Sequence, residues 1–438
     1  MNTPPKHLSG NYAPVTEELT AYDLPVTGTI PPELSGWYLR NGPNPADAAS
    51  GHWFFGDGMV HGVRIENGRA VAYRNRWVRT TRFTDGARMY DDQGTLDLTA
   101  GAANTHVVRH AGRTFALVEN ALPYELTRDL DTKGPYDFDG RLRTAMTAHP
   151  KTCPVTGELH FFGYGSRGPV HLTYHRADAS GELVISRPIE VPGPTMMHDF
   201  ALTASHVVFM DLPVVFDLQA AKAGTMPYSW DDGYGARLGI LRRDDPNGDV
   251  RWFTIDPCYV FHSLNAYDAP DGTIVLHVMR YPELWRRAAD GSTLPMKAAV
   301  LWKWTLDPAT GTVREDQVDD RPGEFPRIDD RLISLASGQG HITSGTSLVH
   351  YDLTTGGTVC HDFGPGRTPS EASFAPADDT PGGPGWLMTY VYDATTDRSD
   401  LALLDAHDLA ATPVATIHLP SRVPSGFHGN WIADQEGS

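Results

Sequence analysis

Gly62-Val-Arg-Ile-Glu-Asn-Gly-Arg-Ala-Val-Ala-Tyr73 decides how the rest of the chain is read. Val63 and Ile65 alternate with polar neighbours, and Val71 and Tyr73 resume the alternation after Asn67-Gly68. Asn and Gly tolerate the positive φ of a tight turn, so the stretch Gly62–Thr80 predicts two antiparallel strands. His106 to Glu119 repeats the arrangement through Ala111-Gly112. Turn pairs of the same kind recur at Val155-Thr-Gly-Glu158, Ala179-Ser-Gly-Glu182, Asp271-Gly272 and Ala309-Thr-Gly-Thr312. Between them, Leu159–Tyr164, Thr273–Arg280, Ala299–Leu306, Leu387–Tyr392 and Leu401–Asp405 have strand length and strand residue types. Helices are expected only at Thr16–Tyr22, Leu218–Gly224 and Pro282–Ala289. No linker, charge block or low-complexity segment divides the chain, so one domain over 1–438 is expected. Strand pairs repeated over that length predict an all-β fold, a propeller of about seven blades. A large sandwich or a pair of barrels satisfies the same pattern.

Composition agrees with a turn-rich fold. Gly (43) and Pro (34) make about 18 % of the 438 residues, against roughly 12 % in an average protein. The formal net charge is −18, which opposes nucleic-acid binding through phosphates. No polybasic run offers electrostatic docking to anionic lipid. Met1-Asn-Thr-Pro-Pro-Lys6 has no apolar core of a secretory leader, and no apolar run approaches the ~20 residues of a membrane helix. Cys153, Cys258 and Cys360 form no CxxC pair. A disulfide framework is not expected, and a reducing cytoplasm is the simpler setting.

Generic motifs carry little. Gly163-Tyr-Gly165-Ser-Arg-Gly168 has the GxGxxG form, but a dinucleotide site needs a helix to follow. Pro169-Val-His-Leu172 reads as continuing strand, so a hairpin turn is expected and NAD or flavin is not. Asp137-Phe-Asp139-Gly140 is too short for a calcium loop. His106 and His110 are four apart, yet on a strand they do not share one compact face. Among 19 histidines, four have a setting that sets them apart. His149 lies in Thr147-Ala-His-Pro-Lys151 and His198 in Met196-Met-His-Asp-Phe200. His262 lies in Val260-Phe-His-Ser-Leu-Asn265 and His428 in Gly426-Phe-His-Gly-Asn-Trp431. Each is flanked by apolar residues and turn formers, a setting from which a strand can deliver an imidazole to a common axis. Single histidines are more often surface or core residues than ligands, and these intervals match no compact metal motif. The residues alone therefore leave a distributed histidine site as one possibility.

At these residues the sequence resembles the carotenoid cleavage oxygenase family, and it does so from end to end. Gly28-Thr-Ile-Pro-Pro-Glu-Leu-Ser-Gly-Trp-Tyr-Leu-Arg-Asn-Gly-Pro-Asn-Pro45 is similar to the family's first blade, and His52-Trp-Phe-Phe-Gly-Asp-Gly-Met-Val-His61 to its Gly-Asp-Gly-Met block. Glu324-Phe-Pro-Arg327, Ser370-Glu-Ala-Ser-Phe-Ala-Pro376 and Arg398-Ser-Asp-Leu401 match in the same order. The resemblance implies a seven-bladed β-propeller capped by loops and short helices over an iron centre. It implies one Fe(II) per chain held by His149, His198, His262 and His428, with no NAD, flavin or haem. It also implies that Glu119 and Glu324 hold the outer N–H of two of those histidines. A third such glutamate is expected just before Trp302-Lys-Trp304, where the sequence reads Ala299-Val-Leu301; Glu283 is the distant alternative. Members that cleave hydroxystilbenes carry a lysine before the glutamate matching Glu119, and here that residue is Val118.

The expected activity is therefore cleavage of a C=C bond by O₂, giving two carbonyl products from a small apolar alkene, an apocarotenoid or related conjugated chain. A stilbene or isoeugenol-type alkene is the alternative substrate, and a ligand-binding propeller without catalysis is the alternative class. Val214–Trp230 either edges a tunnel mouth that touches a membrane or is an ordinary packed loop and short helix. The oligomeric state is not legible in the sequence.

Overall fold

The computed structural model describes residues 5–434, apart from 48–50, 94, 166–167, 223–224, 289 and 291. Among the described residues, seven antiparallel sheets of four to six strands follow one another along the chain, and an eighth has two strands. The second is built from His106–His110, Arg113–Leu117, Tyr124–Leu126 and Thr132–Pro135. The third comprises Lys151–Thr152, Leu159–Tyr164, Leu172–Ala177 and Leu183–Ile189, and the fourth Phe200–Leu202, His206–Asp211, Arg237–Arg242 and Arg251–Thr254. Tyr259–Asp268, Ile274–Tyr281, Val300–Asp307 and Thr312–Gln317 form the fifth. The sixth holds Glu324–Arg327, Gln339–Ser344, Ser347–Asp352 and Thr358–Asp362.

The first and seventh sheets each join the two ends of the chain. Gly429–Ala433 pairs with Gly36–Pro43 in the first, Trp37 opposite Ile432. Val26–Gly28 pairs with Ala415–His418 in the seventh, Val26 opposite Ile417. Exchange of terminal strands closes a propeller ring and removes open sheet edges. The fold is a seven-bladed β-propeller. Contacts divide the chain into two compact units, Met1–Asp137 with His341–Ser438, and Phe138–Gly340. Inside the first, Tyr38, Tyr73, Tyr390, Leu401 and Ile417 belong to one buried cluster between the first and seventh sheets. Inside the second, Phe162, Tyr174, Phe200 and Phe209 join the third sheet to the fourth, with edge-on ring pairs at 5.4 Å (Phe162–Phe200) and 6.0 Å (Tyr174–Phe209).

Local chemistry explains the strands. The hairpin expected at Gly62–Thr80 forms from Gly58–Glu66 and Arg69–Trp77, Val63 facing Tyr73. Asn67 and Gly68 take φ 47° and 71°, and Ala111 and Gly112 take 48° and 76° in the next hairpin. Gly163 is likewise in a hairpin, opposite Thr173. A Cβ there would collide with the Ala145 carbonyl oxygen, which explains this glycine without a phosphate. Ser166 and Arg167 lie outside the described residues.

The helix expectations fare unevenly. Leu218–Lys222 is helical, with Asp217 Oδ1 accepting from the Gln219 and Ala220 amides; Ala223 and Gly224 lie outside the described residues. The strands Val214–Phe216 and Tyr228–Trp230 pair on either side of it. Thr16–Tyr22 is not a helix. Its end, Thr20–Tyr22, is a strand against Ala72–Arg74, because buried Asn75 takes the Leu19 amide on Oδ1 (2.5 Å) and donates to the Glu17 carbonyl (3.0 Å). Pro282–Ala288 is a loop, with Trp285 at φ 49° and Arg286 tied to Asp232 and Glu283; Ala289 lies outside the described residues. A helix not expected, Thr81–Asp85, is capped by Thr80 and ended by Gly86 at φ 67°.

Asn75→Ala should lower stability by about 1–3 kcal/mol, the cost of leaving buried peptide groups without their partner. Urea unfolding checks this, together with faster proteolysis around Glu17–Leu19.

Candidate metal centre

In the unit Phe138–Gly340, three of the four histidines converge. His149 ends a loop just before Lys151–Thr152, and Pro150 after it stops any helical continuation. Thr147 Oγ1 accepts from the His149 amide (3.1 Å) and donates to the His198 carbonyl (3.3 Å), coupling the two segments. His198 leads into Phe200–Leu202 in the corresponding place of the next sheet. His262 lies within Tyr259–Asp268, where the register shifts between Val260 and Ser263 and again between Ser263 and Asn265. Such bulges re-aim a side chain out of its regular alternation.

The result is a tight set of imidazoles. Nε2 of His149 and Nε2 of His198 are 3.0 Å apart, and Nε2 of His198 and Nε2 of His262 are 3.2 Å apart. The outer nitrogen of His262 fixes its tautomer: Nδ1–H donates to Glu324 Oε2 at 2.5 Å. A carboxylate only accepts, so Nδ1 holds the proton and Nε2 presents its lone pair inward. Tyr281 donates its hydroxyl to the other oxygen, Glu324 Oε1, at 3.0 Å. Burial, then the neighbouring Glu324 charge, pushes the Tyr281 phenol far above its ordinary range. Aromatic rings wall the cluster. Phe261 meets His198 edge-on at 4.9 Å, and Phe325 stacks on His262 at 5.6 Å. Phe325 sits at φ 57°, costly for an aromatic residue, and its amide is held by Glu324 Oε2 at 2.6 Å.

His428 belongs to the other unit and has the same construction. It is buried just before Gly429–Ala433, and its Nδ1–H donates to Glu371 Oε1 at 2.8 Å. Glu371 Oε2 accepts from the Gly429 amide at 2.9 Å. Ser373 Oγ donates to the Gly429 carbonyl at 3.1 Å, locking the strand end. His428 therefore also carries its lone pair on Nε2.

Glu371 corrects the expectation of a third glutamate beside Trp302. Its signal is the carboxylate within the Ser370-Glu-Ala-Ser-Phe-Ala-Pro376 block. Glu283 is not the substitute either; it pairs with Arg286 (2.6 Å) and Lys297 (3.2 Å). Glu119 is half-buried in the turn after Arg113–Leu117, with half-buried Val118 before it.

The donor set fits a metal ion of intermediate softness such as iron(II). Nε2 atoms 3.0–3.2 Å apart are close enough for His149, His198 and His262 to hold one ion together.

Comparison with known proteins agrees. The family described as retinal pigment epithelial membrane protein matches residues 12–433. A carotenoid cleavage oxygenase of Mycobacterium tuberculosis is 40 % identical, covering 97 % of each chain. This chain belongs to the carotenoid cleavage oxygenase family. It is an enzyme of that type, a non-haem iron oxygenase that cleaves C=C bonds. Isoeugenol monooxygenase of Pseudomonas nitroreducens, another family relative, is 32 % identical over 99 % of both chains. The crystal structure of Pseudomonas brassicacearum lignostilbene dioxygenase superposes with a TM-score of 0.88 at 30 % identity over 99 % of both chains.

Histidine-selective ¹⁵N NMR of the metal-free protein should show His262 and His428 as Nδ1–H tautomers. Glu371→Gln should perturb the His428 signals and leave those of His262 in place.

Proposed function

We propose that His149, His198, His262 and His428 offer one ligand nitrogen each to a single Fe(II), and that the enzyme cleaves an apocarotenoid or a related apolar conjugated alkene. The observation that carries this is the convergence of the His149, His198 and His262 Nε2 atoms, together with the carboxylates that hold the outer nitrogens of His262 and His428. Glu324 and Glu371 each keep a proton on Nδ1, which fixes the tautomer that leaves Nε2 as the ligand atom and makes that nitrogen a stronger donor to a metal. Glu119 is proposed to serve a further histidine in the same way. Iron, when bound, supplies the dioxygen chemistry.

The reaction balances without a reductant: one C=C bond and O₂ become two C=O groups, with all electrons drawn from the alkene. No side chain need donate or remove a proton. The chain's own tasks are to fix four imidazoles, exclude water and orient the alkene. Phe261 and Phe325, packed directly on the histidines, provide apolar walls for that purpose.

The choice of substrate rests on Val118. A branched apolar side chain cannot receive a phenol as a lysine ammonium does, which supports a polyene over a hydroxystilbene. The relatives named above include proteins of both kinds, so the test must offer both.

Wild-type protein loaded anaerobically with Fe(II) should hold about one iron per chain, and His262→Ala should lose the iron and the activity. With ¹⁸O₂ and an apocarotenal, mass spectrometry should find one labelled oxygen in each carbonyl product before exchange. Turnover of a 4-hydroxystilbene but not of the polyene would overturn the substrate assignment. Iron-free wild type after loading would instead favour a binding propeller. Val118→Lys should raise activity on the hydroxystilbene relative to the apocarotenal, measured as a ratio of kcat/KM values.

A further inference from the structure

The segments that carry His149, His198 and His262 meet at one carboxylate. Asp199, directly after His198, is buried. Its Oδ1 forms an ion pair with Lys151 Nζ at 2.8 Å and accepts from the Phe200 amide at 2.8 Å. Its Oδ2 accepts from the Ser263 amide at 2.8 Å and from Ser263 Oγ at 2.7 Å. Lys151 lies two residues beyond His149, and Ser263 one residue beyond His262. Four donors thus fill the roughly four lone-pair positions a carboxylate offers.

The Ser263 contact has a particular meaning. Tyr259–Asp268 is bulged on both sides of Ser263, and a bulge disrupts the local ladder. Asp199 accepts the Ser263 amide at that point, so the distortion that turns His262 inward is stabilised by the residue beside His198. A buried ion pair contributes little net stability on its own, because desolvation offsets its attraction. What this one does contribute is registry among three strands from three successive sheets.

We infer that Asp199 is a positioning residue for the histidine cluster, fixing the segments of His149, His198 and His262 so that their Nε2 atoms converge. This rests on the reading of the histidines as metal ligands. In Asp199→Asn the amide oxygen still serves one partner, but its NH₂ faces the Lys151 ammonium or the Ser263 amide, donor against donor.

Titration with Co(II), read by its visible d–d bands, is the test. Wild type should bind one Co(II) per chain. D199N should bind about tenfold or more weakly, in the range seen when groups supporting metal ligands are removed, and its bands should shift. D199N combined with Lys151→Gln should recover much of the loss, since the glutamine carbonyl introduced by the second substitution accepts from the asparagine NH₂ introduced by the first. Glu158→Gln breaks an ion-pair group in the same unit, with Arg176 and Arg243; it should lower Tm yet leave affinity and bands unchanged. Should D199N not fold, Lys151→Gln alone should weaken Co(II) binding and shift the bands. Wild-type affinity and spectrum in D199N, or in Lys151→Gln in that event, would overturn the positioning role. Failure of wild type to bind Co(II) overturns the metal centre itself, and this inference with it.

Discussion

The carboxylate–imidazole hydrogen bond is the interaction on which the site depends. An imidazole has two nitrogens and, when neutral, one proton, so whatever holds that proton decides where the lone pair points. Glu324 holds it on the outer nitrogen of His262, and Glu371 does so for His428. Each carboxylate is fixed in turn by a second donor: the Tyr281 hydroxyl and Phe325 amide for one, the Gly429 amide for the other. The two units build this pairing independently with the same chemistry.

The propeller supplies these residues economically. His149, His198 and His262 sit at or within the first strands of three consecutive sheets, and Glu324 opens the first strand of the next. Glu371 stands just before Ser373–Pro376, and His428 just before the strand that returns to the first sheet. Repetition of one strand position therefore brings residues far apart in sequence to equivalent places. Two departures from regular structure fall at these places, the bulge at Ser263 and the positive φ of Phe325. Strain of this kind persists where surrounding contacts hold it.

The architecture was largely legible in the sequence. Asn67-Gly68 and Ala111-Gly112 give hairpins because turn chemistry and alternation are local properties. The expected helix at Thr16–Tyr22 failed because Asn75, more than fifty residues away, captures its backbone; nothing within the segment records that partner. For the site, spacing left the histidines undecided, and the family resemblance singled out the same four. Glu371 is not legible from its own block, since its role depends on His428, 57 residues later in the chain. Asp199 carried no signal, because its partners Lys151 and Ser263 come from two other sheets.

X-ray absorption on the iron-loaded protein tests the central claim most directly, because it counts the ligands around the metal. The account predicts about four imidazole nitrogens per iron at about 2.1 Å, with the multiple-scattering pattern of imidazole rings. A spectrum dominated by oxygen donors, or fitted by two imidazoles or fewer, would contradict it.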